Sequence, residues 1–234
     1  MKIKIKGIIV SNDDKWIYDW FEMENVSPKD VDERIEAAKG EELEIEINSY
    51  GGDVYAGSEI YTAIKSYMGN TIGKIVGVAA SAAGIIAMGV KKLLISPTAE
   101  LMIHNVTSRA EGDYRALAHE SKVLKDYNST IANAYMLKSG MTRDELLAMM
   151  DKESWLTPQQ ALSHKLVDEI MFDDGLKLAA SAKNSGLLPI TVIEKMRNDR
   201  AAGKILQKPP EESRQVPVDL YTKYENIIER RSRL

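Results

Sequence analysis

Apolar and polar residues alternate from Lys2 to Ile5, and Gly7-Ile8-Ile9-Val10 continues the run, so Lys2–Val10 reads as a strand with one solvated face. Ser11-Asn12-Asp13-Asp14 reads as a turn or short mobile loop. Ser27-Pro28 with Asp30 then predicts a helix start, Ser at the cap and Pro in the first turn, with Val31, Ile35 and Ala38 inward and a stop at Gly40. Leu43–Ile47 alternates aliphatic residues with Glu, a second half-buried strand. It ends in a turn at Asn48-Ser49-Tyr50-Gly51-Gly52-Asp53-Val54. Ile60, Ala63, Ile64 and Tyr67 place one apolar face on a helix over 56–68, closed by Gly69-Asn70. Thr71–Val78 predicts the next strand, and the small-residue run Gly77–Gly84 joins it to an apolar helical segment, 82–90. Short strands follow at 93–95 and 101–103. A long helix with a narrow stripe of Ala116, Val123, Leu124, Tyr127, Ile131, Ala134 and Tyr135 is expected over 109–140. Thr142 and Glu145 form a capping-box signature for a helix to Met150. Thr157-Pro158 opens a helix over 158–167, before a strand at 167–170.

This order, strand then glycine-rich turn then helix, repeated, predicts an α/β architecture with crossover helices. In such folds the loops at strand C-termini build the site. Both unusual turns, 48–52 and 79–82, fall at strand C-termini and can lie side by side. From Phe172 the pattern breaks, so the reading divides the chain into a 1–171 domain and a 172–234 appendage, partly flexible.

Composition narrows the chemistry. The 234 residues include no cysteine, which excludes disulfides and thiolate metal sites. The longest apolar run is too short to span a bilayer, and nothing at the start reads as a signal segment, which points to a cytoplasmic chain without a membrane partner. A formal net charge of −4 does not suggest nucleic-acid binding. The charge is uneven: residues 172–234 carry 12 Lys/Arg against 9 Asp/Glu, leaving 19 against 26 in the first 171. Trp16, Tyr18, Trp20 and Phe21 cluster near the start and read as core or subunit contact.

Ser81 sits at a strand-to-helix join walled by Ala and Gly. A serine there is either a helix N-cap or a nucleophile presented at a sharp turn. Of the three histidines, His119 falls on the polar long helix and His164 in the 158–167 helix. Only His104 ends an apolar strand. A serine hydroxyl attacks poorly until an imidazole takes its proton, so Ser81 and His104 form a candidate pair.

Four segments resemble, in order, those of the ClpP-type serine peptidases. Ile47-Asn48-Ser49-Tyr50-Gly51-Gly52-Asp53-Val54 is similar to the family's Asn-Ser-Pro-Gly-Gly turn, with Tyr50 for Pro. Gly77-Val78-Ala79-Ala80-Ser81-Ala82-Ala83 resembles its nucleophile turn, Leu101-Met102-Ile103-His104 its Met-Ile-His segment, and Trp155-Leu156-Thr157-Pro158 the stretch after its third catalytic residue. The resemblance covers about residues 5–171. It implies a ClpP/crotonase-like β-β-α superhelical repeat with a protruding handle helix at 109–140. It also implies a Ser81 nucleophile, a His104 base, Glu153 as the triad acid with Asp151 as its rival, and an oxyanion hole from the Gly51 and Ala82 N–H groups. No cofactor or metal is implied. The expected partners are polypeptide substrates and copies of the same chain, in heptameric rings that stack. The early first strand and the appendage resemble the ClpP-related proteases of phage head maturation, which work without an unfoldase ATPase. Three other readings stand beside this one: an inactive ring or scaffold subunit, a crotonase-like acyl-CoA enzyme, and a serine–lysine peptidase of the signal-peptide-peptidase kind.

Overall fold

The computed structural model describes residues 1–173. The expected appendage therefore lies outside the described residues, apart from its first two positions.

Strand β1 (Lys2–Ile9), β3 (Leu43–Gly52) and β4 (Thr71–Ala80) form the middle of one sheet of order β2-β1-β3-β4-β5-β8. The remaining strands are β2 (Asn25–Val26), β5 (Lys92–Ile95), β6 (Glu100–Ile103), β7 (Ser154–Leu156) and β8 (Glu169–Ile170). Every pairing is parallel except β6 with β7. Parallel strands need crossovers, and helices α2 (Pro28–Ala38), α3 (Val54–Ser66) and α4 (Ala82–Ala87) provide them. The other helices are α1 (Lys15–Trp20), α5 (Tyr114–Ser139), α6 (Arg143–Asp151) and α7 (Pro158–Ser163).

The alternation in the sequence becomes the two faces of the sheet. Ile3, Ile5, Ile45, Ile47 and Ile75 are buried in the core with Ile60 and Ile64 of α3 and the whole of α4. On the other face Lys2, Lys6, Glu44, Glu46 and Lys74 form a cross-strand ion-pair ladder. Ser27 is fully buried and closes a capping box with Asp30, whose Oδ2 accepts from the Ser27 N–H at 2.9 Å.

Strand β4 is long enough to serve two partners. Its first half pairs with β5, and its second half, Val78–Ala80, pairs with β6. That division carries the end of β6 to the end of β4.

Several expectations are corrected. The turn expected at 48–52 is still strand: β3 runs through Gly52, held to β1 across a register shift. Helix α5 starts at Tyr114 rather than 109, because Asp113 Oδ1 accepts from the N–H groups of Arg115 and Ala116 at 3.0 and 3.1 Å and caps it there. The helix expected over 158–167 stops at Ser163, with His164 at its C-cap and Lys165 in the left-handed region, φ 57°. Trp16, Trp20 and Phe21 are not core: they are 66%, 79% and 68% exposed on and just after α1, a helix the pattern does not announce.

Candidate active site

The site begins with the pairing of β4 and β6. Ala80 lies opposite Met102, and the Ser81 N–H donates to Met102 O at 3.2 Å. Ser81, one residue beyond Ala80, and His104, two beyond Met102, are therefore brought together. Ser81 Oγ lies 2.8 Å from His104 Nε2, both side chains half-buried.

Ser81 has φ 56° and ψ −125°, a left-handed backbone that a residue with a Cβ adopts at a cost of about 1–3 kcal/mol. It stands at the N-cap position of α4, yet its hydroxyl caps nothing there. The strained turn aims Oγ away from the helix and toward the imidazole. Ala82 is the first residue of α4, so its N–H has no intrahelical acceptor.

The diglycine lies against this turn because β3 pairs with β4, Ser49 opposite Ala79. Gly51 has φ 98°, and a Cβ there would lie 2.8 Å from both Ala80 O and Ser81 Cβ. Gly52 has φ 152°, and a Cβ there would come within 2.1 Å of Ile9 O. Only glycine lets the three strands close on one another here. The Gly51 N–H, expected in the oxyanion hole, donates to Ser49 Oγ at 3.0 Å, while Ser49 Oγ donates to Gly7 O at 2.6 Å. Gly52, not Gly51, lines the open space beside Ser81.

Neither acid expected as the third member hydrogen-bonds His104. Asp151 Oδ1 accepts from Asn105 Nδ2 at 2.7 Å, and Glu153 Oε1 accepts from Trp155 Nε1 at 3.3 Å. The two differ in register, however. β7 runs antiparallel to β6 and the ladder ends with Ile103 opposite Ser154, so His104 follows and Glu153 precedes its last pair. Glu153 itself has φ 49°.

A cavity of about 300 Å³ opens beside the pair, between α3, α4 and α5. Val54, Ile85, Leu124, Ile131, Tyr127 and Tyr135 give it an apolar side, and Asp53, Tyr55, Thr107, Ser108 and Glu120 make the rest of the wall polar. Tyr55 and Tyr127 pack with ring centroids 5.0 Å apart. Burial pushes the Tyr127 phenol above its ordinary pKa, with Tyr55 and Asp53 adding to the effect, and burial alone raises that of Tyr135. The segment after His104 is anchored to α5 by the Val106 N–H donating to Asn128 Oδ1 at 2.8 Å. In the sequence Tyr127 and Tyr135 are two members of an apolar stripe. Asn105 and Asn128 carry no signal at all. Among the described residues no cluster of three or more His, Asp or Glu side chains could hold a metal ion, and no helix is long and apolar enough to cross a membrane.

Comparison with known proteins shows the family and the fold. The ATP-dependent Clp protease proteolytic subunit of Bacteroides fragilis is 33% identical over 137 residues, 56% of this chain and 65% of that protein. The subunit of the same name from Deinococcus radiodurans is 27% identical over 133 residues, with the same coverage of both chains. The match thus spans less than two thirds of the length of these relatives. A solved structure of a ClpP1 variant from Listeria monocytogenes superposes with a TM-score of 0.61 at 24% identity, covering 75% of this chain and 94% of that one, and it shares the fold. The family model described as Clp protease matches residues 35–174, which takes in both strand ends, the diglycine and the cavity; this chain belongs to the Clp protease family.

Proposed function

We propose that this chain is a serine endopeptidase in which Ser81 is the nucleophile and His104 the general base. The observation that carries the reading is the 2.8 Å separation of Ser81 Oγ and His104 Nε2 at the mouth of a cavity. With the ring proton on Nδ1, the serine O–H donates to Nε2. The imidazole then takes that proton as Oγ bonds to the scissile carbonyl carbon, and returns it to the leaving amine. Water, deprotonated by the same imidazole, releases the acyl group. Glu153, beside the Ile103–Ser154 pair that ends the β6–β7 ladder next to His104, orients the ring and stabilises its cation.

The oxyanion would be held by the Ala82 N–H and by that of Gly52. The neighbouring Asp53 N–H donates to Ile9 O at 2.8 Å on the β1 side. With the Asp53 N–H engaged on β1, the Gly52 N–H is the diglycine amide proposed for the oxyanion, because Gly52 lines the cavity beside Ser81. One such donor is typically worth about 3 kcal/mol of transition-state stabilisation.

A fluorophosphonate probe should label Ser81 of the intact chain and fail on Ser81→Ala. Cleavage of casein or a fluorogenic peptide should disappear in Ser81→Ala and in His104→Ala. An unlabelled, inactive parent protein would refute the reading. The expected ring assembly is part of this proposal, supported by the exposed aromatic side chains of α1. Processing of capsid or scaffold polypeptides without an unfoldase rests on the resemblance alone. Dependence of folded-substrate degradation on ATP and a partner ATPase would refute that part.

A further inference from the structure

One polar group in the cavity is unused by the proposed chemistry. Tyr135 of α5 is 2% exposed and belongs to the wall shared by Ser81 and His104. Its Oη abuts Gly84, one turn after Ser81 in α4: a Cβ on Gly84 would lie 2.9 Å from it. The carbonyl near the same spot, Met102 O, already accepts from the Ser81 N–H. Among the described residues Tyr135 Oη makes no hydrogen bond, and burial is the one cause of its raised pKa.

Among the described residues the one sealed-off side-chain polar atom without a partner is Asn105 Oδ1, so Tyr135 Oη, which also has no protein partner, is open to the cavity. A phenol so placed is paired by what enters. We propose that Tyr135 is a specificity determinant that reads the side chain on the acyl side of the scissile bond, and that it selects a neutral hydrogen-bonding side chain, glutamine foremost. This rests on the peptidase reading above.

The alternatives are disfavoured by the same surroundings. An aliphatic side chain would displace water from the hydroxyl and leave it unpaired. A lysine would have to bring its charge in among Ile85, Ile131 and Val54, where desolvation opposes it. The acids of the cavity wall do not offset this, since Asp53 is exposed, its Oδ1 caps α3 through the Ala56 N–H at 2.7 Å, and Glu120 is only half-buried. A carboxamide can donate to or accept from the phenol without carrying charge.

The test uses the full chain and three fluorogenic peptides identical except for glutamine, leucine or lysine before the scissile bond. The glutamine peptide should exceed the leucine peptide in kcat/KM by about tenfold, the scale of a hydrogen bond made against one left unmade. The lysine peptide should be the poorest. Tyr135→Phe should bring the glutamine-to-leucine ratio to about one, the substitution removing only the hydroxyl. An unchanged ratio in that variant overturns the proposal. The native chain supplies a second test that does not require the variant to fold. If fluorophosphonate labels Ser81 but the glutamine preference is missing, whether leucine is favoured or no peptide is cut, this proposal alone fails. If Ser81 is not labelled and no peptide is cut, the peptidase reading fails and takes the proposal with it.

Discussion

Glu153 and Asp151 are both exposed acids two residues apart, and distance alone does not choose between them. Asp151 is engaged with Asn105, and Glu153 directly precedes Ser154, whose pair with Ile103 ends the β6–β7 ladder just before His104; on that ground Glu153 is proposed as the acid. Glu153→Gln should therefore lower kcat/KM by about 10³–10⁴, the range seen when a triad acid is neutralised elsewhere. Asp151→Asn should change it by less than about threefold, as befits a surface substitution away from the reacting atoms. Matched peptide assays on the two variants decide it, and the opposite ranking would give the role to Asp151. Ser81 was legible as a candidate because it sits at a strand-to-helix join walled by Ala and Gly, and His104 because it is the one histidine that ends an apolar strand. Their 2.8 Å separation was not legible. It depends on β6 pairing with the far half of β4, and a four-residue strand has too little periodicity to declare its partner. Gly51 shows a different limit. The sequence marks the diglycine as special, but which amide stays free depends on Ser49 Oγ, a side chain that reads as ordinary turn chemistry.

Strand β3 illustrates how alternation becomes both core and surface. Its Ile45 and Ile47 are fully buried, while Glu44 and Glu46 face the lysines of β1 and β4. Glu46 pairs with Lys2 and, at 2.6 Å, with Lys6, which hold its pKa down from 4.5 to about 2. The folded protein thus binds this proton less readily than the unfolded chain. Stability from the pair is fully present above about pH 4.5 and is lost as pH falls toward 2. Melting temperature should drop across that window, and Glu46→Gln should flatten the drop. Raising salt should weaken the effect, since these charges sit near the surface. A parent and a variant with the same slope would remove Glu46 from the account. The long strands and helices α2, α3 and α6 were readable because period and caps agree. Helix α1 and strands β2 and β7 were not, being six, two and three residues long. Tyr135 was hidden for another reason: on a helical stripe, a residue facing a cavity and one facing the core obey the same spacing.

At the scale of the molecule, the sheet and its crossovers leave one face unexplained by a lone protomer. Trp16, Trp20, Phe21 and Met23 are exposed around α1, and α1 buries none of its own residues. Exposed aromatic groups clustered like this mark association surfaces far more often than they decorate a monomer. Their chemistry was visible in the sequence as an alternative between core and subunit contact, and the structure removes the first option. If α1 is a contact between copies, the protein in solution should have a mass several times the 26.1 kDa of one chain. Replacing Trp16 and Trp20 together by Glu should release protomers, because two carboxylates cannot be buried in an apolar contact without partners. Light scattering coupled to size exclusion reads the mass directly, and circular dichroism checks that the released protomer keeps its fold. A parent protein that already runs at 26.1 kDa at micromolar concentration would leave the aromatic surface for another partner. A double variant that stays assembled would move the contact elsewhere on the chain. Activity adds a second readout. Ser81 and His104 are held by strands of one protomer, so dissociation by itself should leave fluorophosphonate labelling intact. If labelling falls along with mass, the turn at Ser81 depends on the assembly for its strained backbone, and the ring is part of the catalytic machinery.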